Sequence, residues 1–130
     1  MIKLIQMPIE RSTNMKYRNI EDIKESVREC ANFYGFEVED SKCSTLGVMI
    51  KTKNDSVRID VYTDLHFDIE NNTIIQNFEF CPTICKMGGK STAKEFRAIA
   101  EEMIMAADLV EALSLRGGYE LVTELPAKAE

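Results

Sequence analysis

The chain has 130 residues, 45% of them hydrophobic and 29% charged, with a formal net charge of −6. That length suits a single domain able to bury roughly two thirds of its unfolded surface, and the composition excludes a disordered acidic tail. No apolar run approaches the roughly 20 residues of a membrane-spanning helix, and the N-terminal apolar patch, broken by Gln6 and Pro8, is too brief for a signal peptide.

One α+β domain over residues 1–125 is therefore expected, in the cytoplasm and without membrane contact, with residues 126–130 frayed. Ile2, Leu4 and Met7 read as a short edge strand ending at Pro8, and residues 9–18 show no period and read as a loop. From Asn19 onward Ile20, Ile23, Val27, Cys30, Ala31 and Tyr34 recur at helical spacing. Asn19 is placed to cap that helix and Gly35 to close it, with Phe36 in position for the hydrophobic contact that accompanies such an end.

Strand periodicity follows. Leu46, Val48 and Ile50 alternate with Gly47, Met49 and Lys51, and Asn54-Asp55 offers a two-residue turn. A second alternation runs unbroken from Val57 to Ile69, long enough that a bend or bulge near Thr63-Asp64 is expected. Asn71-Asn72 reads as another two-residue turn, and Thr73 to Phe80 as the returning strand.

The last helix opens on the capping box Thr92-Ala93-Lys94-Glu95. Phe96, Ile99, Ala100, Met103, Ala107, Val110 and Leu113 form its expected core stripe, and Arg116-Gly117-Gly118 ends it. Residues 119–123 add a short final strand. The sum is an antiparallel three- to four-stranded meander with two amphipathic helices packed on one face.

Acid is concentrated in the strands: residues 37–79 carry nine acidic against four basic side chains. Such a field repels phosphate backbones, so no direct nucleic-acid binding is expected, and it favours a protein partner with a basic surface. Parity places Asp60, Tyr62, Asp64, His66, Asp68 and Glu70 on the face away from the core, joined by Glu79 from the returning strand. A two-residue turn sets Asp64 opposite Glu79, an arrangement that costs stability and hints at a use. Successive carboxylates on such a face stand about 7 Å apart, too far for a ready metal cage.

Other patterns are weaker. Only Cys81 and Cys85 approach zinc-knuckle spacing, while Cys30 falls inside a predicted helix, so reduced thiols and no metal are expected. Gly88, Gly89, Lys90 and Ser91 end like a phosphate-binding loop, but Ile84 stands where its first glycine belongs. That leaves a weak anion-binding loop and no cofactor. On the long helix Ala98, Met105, Leu109 and Ala112 form a second apolar stripe roughly opposite the expected core face, suited to a client or a homodimer.

The expected function is a non-enzymatic binding module whose acidic sheet face meets a basic protein surface. An inhibitor or regulator covering a nucleic-acid-binding site, as acidic phage-encoded inhibitors do, is one concrete form. The alternatives are a chaperone-like or assembly protein acting through the apolar stripe, and a metal- or phosphate-binding enzyme built around His66 or the glycine loop.

Overall fold

The computed structural model describes residues 15–85, 92–115 and 119–126. In chain order the elements are β1 (Met15–Tyr17), α1 (Ile20–Phe33), β2 (Glu37–Asp40), β3 (Val48–Lys51), β4 (Val57–Asp68), β5 (Thr73–Ile84), α2 (Ala93–Leu115) and β6 (Tyr119–Glu124). The strands form one six-stranded sheet ordered β1-β6-β5-β4-β3-β2, curled into a half-barrel. This corrects the expected three- to four-stranded antiparallel meander: the sheet is mixed, because β1 runs parallel to β6. The additional strands are β1, inside the stretch read as a loop, and β2, whose sequence Glu-Val-Glu-Asp carries no usable alternation. The expected strand at Ile2, Leu4 and Met7 lies outside the described residues.

Helix α1 forms as its sequence dictates. The Asn19 side chain accepts a hydrogen bond from the Glu21 amide at 2.8 Å, satisfying one of the unpaired donors of the first turn. At the other end Gly35 takes a φ of +88°, and the Phe36 amide reaches back to the Ala31 carbonyl at 2.9 Å. This closure folds Phe36 into the core beside Ile23, Val27, Cys30 and Ala31.

Both helices contribute to one core. Ala106, Leu109 and Leu113 of α2 join the α1 residues over Val48, Ile50, Val57, Ile59, Phe78 and Tyr119 of the sheet. Each fully buried large aliphatic side chain there contributes about 1.5–3 kcal/mol relative to exposure. Tyr119 ties the elements together: its ring stacks on Tyr17 with centroids 5.7 Å apart, and its hydroxyl lies 2.9 Å from Ser26 Oγ on α1. A buried tyrosine needs such a partner for its hydroxyl.

The β4–β5 hairpin dominates the sheet. Its pairing keeps constant register from Val57↔Ile84 to Asp68↔Thr73, so of the bend or bulge expected near Thr63-Asp64 the bulge is absent. Twelve residues per strand give a ribbon about 40 Å long, accommodated by the curl of the sheet. β5 also continues past Phe80, the expected end of the returning strand, through Cys81 and Pro82 to Ile84.

Candidate functional site

Asp68 and Asn71 set the geometry of the acidic face. The Asp68 carboxylate accepts from the Asn71 amide at 3.3 Å and from Asn71 Nδ2 at 2.8 Å, while Asn72 takes a φ of +53°. Asp68 then pairs with Thr73, so the connection holds Ile69, Glu70, Asn71 and Asn72 instead of Asn71-Asn72 alone. The hydrogen bond from the Asn71 side chain, the largest influence on Asp68, holds its carboxyl below the ordinary aspartate value.

The longer turn moves the register by two residues. Parity survives: Val57 and Ile59 are buried, which directs Asp60, Tyr62, Asp64, His66 and Asp68 to the opposite face. The cross-strand neighbours differ from expectation. Tyr62 faces Glu79, Asp64 faces Asn77 and His66 faces Ile75. Asp64 and Glu79 are thus diagonal neighbours, and the expected cost of directly opposed carboxylates does not arise.

Asp64, His66, Glu70 and Glu79 are exposed, and Tyr62 keeps 56% of its surface in solvent. Asp60 is half-buried and accepts a 2.6 Å hydrogen bond from Thr83 Oγ1. Arg58, the cation nearest in sequence, lies 3.5 Å from Asp55. Among the described residues no lysine or arginine forms an ion pair with Asp60, Asp64, Asp68, Glu70 or Glu79. Nor do any three His, Cys, Asp or Glu side chains among them gather in a way that would hold a metal ion. Cys30 is buried, while Cys43, Cys81 and Cys85 are exposed, and all are free thiols.

The face adjoins an open strand edge. β4 pairs with β5 along its whole length but with β3 only at Ile59 and Arg58. The Val57 carbonyl accepts from Thr52 on the β3 side at 3.0 Å, and the Ser56 carbonyl accepts from Cys85 on the β5 side at 2.7 Å. Backbone groups alternate sides along a strand, so those of Val61, Thr63, Leu65 and Phe67 point toward the β3 side, beyond the end of the β3 pairing. Among the described residues no strand occupies that side.

Where β3 leaves β4 a cleft of about 260 Å³ opens, lined by Ser41, Cys43, Met49, Asp60, Val61 and Tyr62 among others. Sequence reading missed this edge. The signal lay in the mismatch between the short Leu46–Lys51 alternation and the long one from Val57, which no short neighbour can cover.

The second apolar stripe of α2 is placed differently from expectation. Leu109 is fully buried, and Met105 and Ala112 pack against the core, while Ala98 is exposed. Correspondingly, Phe96, Met103 and Ile104 are 51%, 44% and 63% exposed. The physical reason is the small Ala106, fully buried on the line of Leu109 and Leu113, which lets the helix approach the sheet on that side. The capping box forms: the Thr92 amide donates to Glu95 Oε1 at 2.7 Å and the Glu95 amide to Thr92 Oγ1 at 3.1 Å. Gly88, Gly89, Lys90 and Ser91 lie outside the described residues.

Fold and face together define an α+β protein with a mixed, curled sheet, a face whose carboxylates are not ion-paired with any described lysine or arginine, and, among the described residues, a β4 edge without a neighbouring strand beyond Ile59. The chain matches no protein-family model, no curated protein and no solved structure. Among the described residues no helix is long and apolar enough to cross a membrane.

Proposed function

We propose that this protein is a non-enzymatic binding module that docks the acidic face of β4 and β5 onto a basic protein surface. One observation carries the reading: Asp60, Asp64, Asp68 and Glu79 share a face on which no described lysine or arginine is ion-paired with them, Arg58 at its end lying against Asp55 instead. A charged surface left open in this way steers and orients an oppositely charged partner more than it stabilises the fold. Tyr62, directly opposite Glu79 and half in solvent, supplies an aromatic anchor within that face. His66 stands exposed across from the buried Ile75, without the enclosure that would hold a substrate against a base. The cytoplasm belongs to the same proposal, and the free thiols suit it.

Affinity capture of basic proteins at low and high salt tests the reading, with wild type beside the double variant Asp64→Lys, Glu79→Lys. Wild type should retain basic partners that elute as ionic strength rises, and the variant should lose them. Retention of the same partners by the variant overturns the reading.

A second reading, self-association through α2, draws on the exposed Phe96, Met103 and Ile104. At about 200 Å² for a fully exposed large apolar side chain they present roughly 300 Å², well under the roughly 800 Å² per partner of a standard interface. It therefore stands second.

A further inference from the structure

Among the described residues the hairpin has two edge stretches without a neighbouring strand, and they are built differently. β6 covers β5 only from Thr73 to Phe78, so among the described residues no strand lies beside β5 beyond Phe78. That edge contains Pro82. The Cys85 amide donates toward β4, which turns the Pro82 nitrogen to the free side, where a missing N–H costs no ladder bond and blocks strand addition. The β4 edge has no such guard. Val61, Thr63, Leu65 and Phe67 present their outward backbone groups without a proline or lysine among them.

The side chains flanking this edge are sorted by face. Val61, Leu65 and Phe67 lie on the helix side of the sheet, with Leu65 60% and Phe67 52% exposed. Asp60, Asp64 and Asp68 lie on the other side, with Tyr62 and His66 between them. A strand added here meets apolar side chains on one face and carboxylates on the other.

Charge decides what that strand is. In a symmetric antiparallel pairing of two copies centred on Asp64, that residue would face its own counterpart and Asp60 would face Asp68. Like charges directly opposite are destabilising, so the acids act against self-pairing. A strand with lysine or arginine at alternate positions turns the same carboxylates into favourable cross-strand pairs.

Resting on the proposed acidic docking face, we propose that the partner binds by strand addition: an extended segment alternating basic and apolar residues pairs with β4 from Val61 to Phe67. Main-chain bonds supply affinity, and the two faces of the added strand supply specificity. The cleft beside Asp60 and Tyr62 lies where β3 diverges, and it receives the end of the segment.

The test uses the full chain and a synthetic peptide of about nine residues alternating lysine with valine. A control peptide carries the same residues in two blocks, and a third is N-methylated at the amides that would face β4. Titration followed by amide exchange should show the alternating peptide binding at least about tenfold more tightly than either control. It should also protect the amides of Val61, Thr63, Leu65 and Phe67. Leu65→Pro, which removes only an outward N–H, should weaken binding to a similar degree, and the methylated peptide keeps the test valid if that variant misfolds.

Equal binding of all three peptides, abolished by Asp64→Lys with Glu79→Lys, overturns strand addition while the acidic-face reading stands. Binding that survives the charge reversal overturns both. A wild-type dimer that Leu65→Pro dissociates overturns the proposal in favour of a second copy as occupant.

Discussion

Asp64 stands opposite Asn77 on the β4–β5 ladder, two residues away from the glutamate that a two-residue turn would have brought to it. This relationship changes the meaning of the acidic face. Opposed carboxylates would store repulsion in the fold. Diagonal ones leave the charge available to solvent at little internal cost, as a surface awaiting a cationic partner would require.

The turn responsible is held by Asp68, and its chemistry fixes a pH dependence. A carboxyl whose folded pKa is depressed contributes stability above its unfolded value, and that contribution is lost as pH falls through the folded value. Acidification below the ordinary aspartate range should therefore loosen the Asp68–Asn71 turn. Asn71→Ala should return the Asp68 titration toward the ordinary value in an NMR titration. The stability difference between wild type and variant should shrink as pH is lowered.

The two apolar sides of α2 should respond unequally to truncation. Leu109 is fully buried in the core cluster, so Leu109→Ala should cost about 2–5 kcal/mol in urea unfolding. Ile104 is 63% exposed, and Ile104→Ala should change stability by no more than about 0.5 kcal/mol. A reversed order would mean that the helix packs through its other face.

Gly35 is constrained twice. Its φ of +88° disfavours any side chain, and a Cβ built there lies 3.0 Å from Met105 Cε on α2. Gly35→Ala should destabilise by about 1–2 kcal/mol in chemical unfolding, and Met105→Ala in the same chain should recover the steric part of the loss but not the backbone part.

The legible parts of this structure are those decided locally. Asn19, Gly35 and the Thr92–Glu95 box mark helix ends through hydrogen bonds within a few residues, and the alternation from Val57 onward assigns every side chain of β4 to a face. What could not be read depends on distant partners. β1 is three residues long and exists as a strand only because β6 lies beside it, and β2 is an acidic segment held against β3.

Register was also out of reach, because the turn length follows from Asp68 reaching Asn71, an outcome that Asn-Asn turn propensity does not contain. The buried face of α2 was hidden for another reason. Apolar residues occupy more than half its circumference, and the sheet chooses among them by close approach at Ala106. The open edge of β4 required knowing where β3 stops.

Amide exchange along β4 in the free protein bears most directly on the central claim, that an uncovered strand edge runs beside the acidic face. Rapid exchange is expected at Val61, Thr63, Leu65 and Phe67, with slow exchange at Tyr62, Asp64 and His66, whose amides are bonded into the β5 ladder. Uniform protection along the strand would contradict it, because it would mean that the edge is already occupied.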